Sequence, residues 1–468
     1  MLNKHDTDQF ATAKLIKQGR YADAESLLLR VLVERPDDVQ SLLHLGIVYR
    51  ATSRLLAAEG CYRRAIVVSP NTPELHSNLA NTLVDLDRYD EAIVCARHAV
   101  KLDESSVLFR KNLAAALREA KQFEEAAGHF RQCLKQTPDD HQLQLSLAIA
   151  LLYLRQLEEG WDRFDCRFQA ETKEASTTAS IPRWEGEDLT GKRLLLTAEQ
   201  GFGDTMLMTR LIPDLIARGA KLSLACRPPL HRIFSQLPVT LLMESDVKSA
   251  SYDYHAPLMH LPKYLGRDWL QWPAAIPFHV PTTARQKYAF ISQVTPDRLR
   301  VGIVWSGSEA YRGNAKRAAD YQYFLRLSAQ LPQIQFYSFQ KGPGEQDLAT
   351  HGAGTILPMG QSFEGFEDTA AAAEQMDLIL MTDSALVHLA GGLGVPVLDL
   401  LQFVPYWLYF PETTTTPLYP SVRFLRQQSP GDWPSVFESV SKVLTGLSKA
   451  RQQGQLSRHQ VTELLTKW

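Results

Sequence analysis

Apolar positions recur at helical spacing from residue 5 to about residue 167, and the helical pattern itself repeats every 34 residues. Gly19-Arg20-Tyr21, Ala24 and Pro36 return as Leu55, Ala58, Tyr62, Ala65 and Pro70. They return again as Arg88-Tyr89, Ala92 and Ala99, and then as Phe123, Ala126, Phe130 and Pro138. The first helix of a block carries Leu45-Gly46 with Tyr49, Leu79-Ala80 with Leu83, or Leu113-Ala114 with Leu117. Four helix pairs are predicted, followed by a fifth unit from His141 to Arg167. The pattern lapses over 168–180, where Thr, Ser, Ala and charged residues read as a linker. Beyond it, short apolar runs of strand length alternate with helical patterns. Strands are expected at 193–197, 221–226, 239–243 and 256–258, then at 301–305, 334–339, 354–357, 378–381 and 397–400. Helices are expected from Pro229, from Tyr321, from Thr369 and from Leu386; a Pro-rich crossing (Trp272 to Thr283) and a short helix (Ala284 to Gln293) separate the two series. Such alternation predicts parallel sheets covered by helices on both faces. Two facing doubly wound domains, 181–295 and 296–447, would bind ligands between them at the carboxyl ends of their strands. Residues 448–468 read as a polar, Gln-rich tail with a weak helical end at Val461, Leu464, Leu465 and Trp468.

Composition narrows the partners. Hydrophobic content of 45% and charged content of 22% over 468 residues allow a sizeable core and about three domains. A net charge of −2 argues against a wholly basic, nucleic-acid-binding surface. The five cysteines (Cys61, Cys95, Cys133, Cys166, Cys226) show no metal-ligand spacing, so reduced, partly buried thiols are expected. The start, Met1 to Asp6, lacks the apolar core of a signal peptide, and no run reaches bilayer-spanning length. A soluble, cytoplasmic chain with no transmembrane segment is the expectation.

The candidate chemistry sits on two turns. Glu199-Gln200-Gly201-Phe202-Gly203-Asp204 follows the apolar run Leu194 to Thr197 and reads as strand, tight turn, helix. The glycines permit a sharp turn, and the first helical amides attract anions. Asp204 stands where such a site would want positive charge. It either caps the helix or acts as a base beside a bound substrate. Glu199 and Gln200 either brace this loop or touch substrate. A nicotinamide fingerprint fails, because no third glycine follows Gly203 and the second strand ends Cys226-Arg227-Pro228-Pro229 without the ribose-binding acid. A phosphate-loop Gly-Lys-Ser/Thr is absent. Asp85-Leu86-Asp87 falls in a turn between repeat helices and is discarded as a metal site, and His76 and His98 read as packing or surface residues.

The second turn is Thr382-Asp383-Ser384-Ala385, after the strand Leu378 to Met381 and before Leu386-Val387-His388 and Gly391-Gly392. The amides of Ser384 and Ala385, with the helix dipole, can hold a diphosphate. The small side chains at 384, 385, 391 and 392 suit close packing on a nucleotide. His388 lies one turn past Ser384 on the same face, either as a ligand of phosphate or sugar or as a packed core histidine. Lys316, Arg317 and Lys341 follow strand ends and suit a departing diphosphate, although Gln340 and Lys341 equally suit the plain closing of a strand. Asp383 reads as a cap or structural acid.

The repeat resembles the tetratricopeptide repeat in period and in most signature positions, with Glu104 in place of the usual proline and Thr12 at the first small-residue position. Such an array buries a continuous core and offers a concave face to a peptide or partner; a plain spacer or dimerisation arm is the alternative. The remaining chain, over nearly all of 181–445, resembles the heptosyltransferase-like GT-B glycosyltransferases. The resemblance rests on the two turns together with Trp305-Ser306-Gly307, Phe339-Gln340-Lys341-Gly342, Tyr419-Pro420-Ser421 and Phe424-Leu425-Arg426-Gln427. Tyr406-Trp407-Leu408-Tyr409 departs from the aromatic-Arg-aromatic run usual in relatives, and Ala318 replaces the serine that usually follows the arginine.

The resemblance implies an α-solenoid followed by a GT-B fold of two facing Rossmann-like domains. It implies an inverting, metal-independent transfer of a sugar from a nucleotide-sugar co-substrate, with no further cofactor. Asp204 would be the base, within an acceptor-side loop of Gln200, Gly201, Phe202 and Gly203. The donor would meet Trp305, Lys316, Arg317, Gln340, Lys341, Asp383, Ser384, Ala385, Leu386 and His388. The acceptor expected is a protein, flagellin or another surface protein, recruited by the array, with lipopolysaccharide or another glycan as an alternative. A binding scaffold with an inactive transferase half is the rival of a different class.

Overall fold

The computed structural model describes residues 4–170, 178, 180–248, 251–294, 297–308, 313–342, 344–346, 348, 355–409, 413–454 and 456–467. Contacts divide the chain into two compact units, residues 1–171 and 172–468. The predicted linker straddles that division, and its residues 171–177 and 179 lie outside the described ones.

The first unit is a run of helix pairs. Lys4–Lys17 precedes Tyr21–Glu34, Val39–Ala51 precedes Leu55–Val68, and Pro73–Asp85 precedes Tyr89–Leu102. Val107–Glu119 then precedes Phe123–Gln136, and His141–Tyr153 precedes Leu157–Phe164, with a short Arg167–Ala170 turn after it. Each pair is joined through one residue with positive φ: Gly19, Ser53, Asp87, Lys121 and Arg155. Only the first is glycine, so four side-chain-bearing residues hold a left-handed conformation that the repeat geometry demands. Ala24, Ala58, Ala92 and Ala126 are fully buried where paired helices meet. Gly46 makes room for an aromatic neighbour, since a Cβ there would stand 2.5 Å from the Tyr62 ring. Ion pairs tie successive second helices together, among them Arg54–Glu25 at 2.6 Å, Arg88–Glu59 at 2.8 Å, Arg97–Glu125 at 2.8 Å and Arg131–Glu159 at 2.6 Å. Asp85 pairs with Arg50 and Asp87 accepts from the Tyr89 hydroxyl, while His76 packs edge-on against His98 and reaches the Pro70 carbonyl.

The second unit holds two all-parallel sheets. The first comprises β1 (Arg193–Thr197), β2 (Lys221–Ala225), β3 (Thr240–Leu242) and β4 (Tyr254–Pro257) in the order β3-β2-β1-β4. The second comprises β5 (Leu299–Val304), β6 (Ile334–Ser338), β7 (Ile356–Pro358), β8 (Leu378–Thr382), β9 (Val397–Leu401) and β10 (Val422–Arg426), ordered β10-β9-β8-β5-β6-β7. Counted within its own half, the second sheet follows the doubly wound order 3-2-1-4-5-6, which places a crevice where β5 and β8 diverge. In the first sheet the corresponding divergence lies between β1 and β4. The loops after β1 and β8, the two turns singled out in the sequence, therefore leave their sheets at these switch points.

Three elements differ from expectation. The helix expected from Pro229 is only a 3-10 turn, Pro228–Leu230, because consecutive prolines remove two amide donors. Strand β10 is added where only a motif was read, completing the sheet beside β9. The tail is structured: a helix runs unbroken over Trp433–Gln452, and the Arg458–Leu465 helix inserts Val461 and Leu465 into the core beneath the second sheet. The two halves meet along a packed seam, with Phe202 edge-on to Phe366 at 5.1 Å and Arg285 paired with Glu374 at 2.7 Å. Among the described residues, no helix is long and apolar enough to cross a membrane.

Candidate functional site

The loop after β1 is held rigidly. Gln200 takes a left-handed φ of 59°, and its carbonyl accepts from Arg227, whose guanidinium lies 3.9 Å over the Phe202 ring. Glu199 accepts from the Met259 amide at 2.9 Å and so ties the loop after β1 to the segment after β4. Asp204 sits in the first turn of the Phe202–Met208 helix, where Oδ2 accepts from the Gly201 amide at 3.1 Å. Its other oxygen faces the second half, and Tyr406 donates to Oδ1 at 3.0 Å. The acid thus caps its helix with one oxygen and presents the other across the seam. Burial pushes its carboxyl above the usual range and the charge of Glu199 adds to this, against the opposing pull of the Gly201 amide and the Tyr406 hydroxyl.

Gly203 has a packing role. A Cβ there would stand 2.7 Å from His388 Cδ2 and 3.3 Å from the Ala385 Cα. The absence of a side chain lets the Phe202–Met208 helix lie directly on the Ala385–Gly392 helix, which brings Asp204 within reach of the second half. The Ala385–Gly392 helix has close approaches of its own, since Cβ atoms at its glycines Gly391 and Gly392 would strike the rings of Tyr419 and Phe278. Ser384 caps the helix through its hydroxyl, which accepts from the Leu386 amide at 3.4 Å.

His388 is buried and both ring nitrogens are engaged, Nδ1 with the Tyr419 hydroxyl at 3.1 Å and Nε2 with the Tyr409 hydroxyl at 3.3 Å. Burial, helped by the charge of Arg210, lowers its pKa to about 3, so the ring is neutral at physiological pH. Arg210 is itself buried. It donates to the carbonyls of Leu207 (3.0 Å), Pro273 (3.3 Å) and Leu418 (3.2 Å), bolting the two halves and the segment between them together. Its guanidinium lies 4.9 Å over the Tyr419 ring.

A second acid cluster backs the turn after β8. Burial pushes Asp383 up to about 6; Arg317 and the Tyr409 hydroxyl pull it down while the Asp204 charge pushes it further up. Asp399, in the middle of β9, is fully buried, and among the described residues neither carboxyl oxygen has a hydrogen-bond partner. Burial and the neighbouring Asp383 hold its pKa far above the usual range. Arg426 lies in the same field, and burial lowers its pKa to about 10.

The remaining donor-side candidates are placed as follows. Trp305 is a core side chain against Phe324. Gln340 clamps the backbone after β5, its Oε1 accepting from the amides of Trp305 (3.2 Å) and Ser306 (3.0 Å). Lys341 donates to the Phe363 carbonyl at 2.7 Å. Arg317 reaches Asn314 and lies in the field of Asp383, whereas Lys316 is exposed. Leu386 is buried, and Ala385 lies against Gly203. The structure therefore brings Asp204, Gly203, Asp383, Ala385, His388 and Arg317 together at the seam, while Trp305, Gln340 and Lys341 make the contacts just given and Lys316 is exposed. Among the described residues, no group of three or more His, Cys, Asp or Glu side chains is gathered to hold a metal ion. Arg210 and Asp399 were not singled out in the sequence, and Tyr406 and Tyr409 only as a departure from the pattern of relatives, yet all four lie beside the residues at the seam. Asp399 left a visible signal, a lone acid inside the apolar strand Val397 to Leu401.

Comparison with known proteins characterises the first unit. Residues 5–166 match the tetratricopeptide-repeat family model, so this unit is a tetratricopeptide array, a protein-interaction scaffold. The chain is 29% identical over 315 residues to Protein FlbA of Caulobacter vibrioides, an alignment covering 61% of this chain. The chain spans about half (52%) of that curated relative's length. Among solved structures, one of MamA (MSR-1) is 24% identical and covers 36% of this chain and 97% of its own, with a TM-score of 0.32. A thermophilic tetratricopeptide protein of Thermus thermophilus is 17% identical and covers 36% of this chain and 92% of its own, also with a TM-score of 0.32.

Proposed function

We propose that the second unit is a GT-B glycosyltransferase that moves a sugar, with inversion and without a metal, from a nucleotide-sugar to an acceptor hydroxyl. The observation that carries this reading is the placement of Asp204. One of its oxygens crosses the seam from the carboxyl end of the first sheet to the Tyr406 hydroxyl in the segment after β9, and the adjacent Gly203 packs on Ala385 and His388 of the helix that leaves the second sheet at its switch point. In the reaction the acceptor hydroxyl gives its proton to Asp204 as its oxygen attacks the anomeric carbon from the face opposite the leaving group. The bond from that carbon to the phosphate oxygen breaks, and the nucleoside diphosphate departs with the electron pair. The amides of Ser384 and Ala385, the helix dipole and Arg317 stabilise the departing charge. The raised pKa of Asp204 brings the base towards the operating pH, where general-base transfer is most effective. His388, being neutral, contributes hydrogen bonds and shape and no charge.

The tetratricopeptide array recruits the acceptor, a protein such as flagellin or another surface protein. The test is a panel of ADP-, UDP- and CDP-linked sugars scored first by thermal stabilisation and then by transfer. Asp204→Asn should abolish transfer while keeping donor-induced stabilisation, and full transfer by that variant would sink the base assignment. Removing residues 1–167 should cost transfer to protein while sparing donor binding. A nucleotide-holding scaffold is the second reading, favoured by the engagement of both Asp204 oxygens and both His388 nitrogens by protein groups. Stabilisation by a donor with no turnover on any acceptor decides for it.

A further inference from the structure

Tyr406 stands on the oxygen of Asp204 that a substrate would need. Asp204 Oδ2 is committed to the Gly201 amide, so Oδ1 is the oxygen left for an incoming hydroxyl, and the Tyr406 phenol donates to it at 3.0 Å. The segment bearing Tyr406 is firmly seated. Trp407 packs edge-on against Trp269 of the first half at 5.4 Å, and Tyr409 binds His388 and lies 5.0 Å from Phe424. Trp407, Leu408 and Tyr409 are all buried. Tyr406 alone of this run is half-buried: its ring leans on Trp407 at 5.1 Å and stands edge-on to Tyr409 at 5.7 Å, and the rest of it is open to solvent. The Tyr406 hydroxyl thus occupies the place that a substrate hydroxyl would need on Oδ1.

We infer that Tyr406 is a positioning residue that guards the base: until the acceptor hydroxyl displaces it, it holds Asp204 and keeps water from taking the proton-donating place. The inference rests on the base reading of Asp204. The side reaction it prevents is hydrolysis of the donor. In that reaction a water oxygen bonds to the anomeric carbon, the bond from that carbon to the phosphate oxygen breaks, the nucleoside diphosphate leaves with the electron pair, and Asp204 takes the water proton. With Phe at 406 the ring remains but nothing donates to Oδ1, and water enters in its place.

The test compares full-length wild type, Tyr406→Phe and Tyr406→Leu. Asp204 is first labelled with a water-soluble carbodiimide and glycine ethyl ester and read by peptide mass spectrometry, a measurement that needs no substrate. Labelling should rise about tenfold in both variants, the scale set by losing a hydrogen bond to a charged group. With the sugar nucleotide that turns over, hydrolysis without acceptor should rise about tenfold relative to transfer. The acid limb of the transfer rate should move up by about one pH unit, because the phenol stabilises the charged carboxylate. A folded Tyr406→Phe with wild-type labelling, hydrolysis-to-transfer ratio and acid limb overturns the guard. If Asp204→Asn is inactive at the same time, the base reading stands and only the guard has failed. If Asp204→Asn transfers at the wild-type rate, the base reading has failed instead.

Discussion

Adding one methyl group at Gly203 tests whether the seam is as tight as its geometry states. In Gly203→Ala the new Cβ would lie 2.7 Å from His388 Cδ2 and 3.3 Å from the Ala385 Cα. Carbon atoms rest at about 3.5–4.0 Å, so the overlap with the ring is about 1 Å. The imidazole cannot swing aside without breaking its bonds to Tyr419 and Tyr409, and the opposing Cα belongs to a backbone fixed at the end of β8. Overpacking of this kind costs about 1–3 kcal/mol, while alanine returns about 1 kcal/mol of helix propensity. The net change expected is a loss of up to about 2 kcal/mol. Gly128→Ala calibrates it: Gly128 lies in the Phe123–Gln136 helix, and a Cβ there meets nothing within 4 Å. That change should gain about 0.5–1 kcal/mol. Urea unfolding followed by tryptophan fluorescence reads Gly203→Ala in the second unit, because of eight tryptophans only Trp161 lies before residue 172, and far-ultraviolet circular dichroism, dominated by the helical array, reads Gly128→Ala. Transfer should fall at least about tenfold, since a shift of about 1 Å at a catalytic group is costly. A Gly203→Ala protein of wild-type stability and activity, beside a measurable gain in Gly128→Ala, would refute the packing argument.

Three further outcomes follow from other parts of the fold. Arg210→Lys keeps the charge but loses the fork that reaches three carbonyls, and should destabilise by about 3 kcal/mol in thermal or urea unfolding; parity with wild type would mean those bonds contribute nothing net. Asp399 keeps its proton in the folded state far above the pH at which the unfolded chain releases it, so its contribution to stability is full at low pH and lost as pH rises. Asp399→Asn imitates the protonated acid, and its advantage over wild type should grow between pH 5 and pH 8 by about 1–3 kcal/mol; a flat difference would show the carboxyl ionised in the fold. Lys121 holds a φ of 61°, and Lys121→Gly should stabilise the array by about 0.5–1 kcal/mol in thermal unfolding; a loss would mean the Lys121 side chain matters more than its backbone strain.

The repeat array and both sheets were legible in the sequence because their periods are long and regular. Even the first residue of each second helix, Tyr21, Leu55, Tyr89, Phe123 and Leu157, recurs at the read spacing. What escaped was decided by non-local packing. Nothing near Gly203 in the chain announces that His388 will press on it from 185 residues away, so the glycine reads as a phosphate-approach residue until the two helices are seen in contact. Arg210 looks like the exposed edge of an amphipathic helix, and its burial is made tolerable by the carbonyls of Leu207, Pro273 and Leu418, the last two far along the chain. Tyr406 and Tyr409 were visible as a departure from a family pattern, yet their role depends on which groups they meet across the seam.

The left-handed turn that recurs in every helix pair has a consequence for length. Because each block enters and leaves through the same backbone geometry, whole blocks are interchangeable at their boundaries. Excising residues 39–72 joins Asp38 to Pro73, two positions that both lead into a first helix. Glu25, deprived of Arg54, then meets Arg88, which holds the same place in the next block and already pairs there with Glu59. The reach of the array can change by a whole division while the Arg–Glu pairing between successive second helices is kept, as on a ruler that is shortened only at its marks.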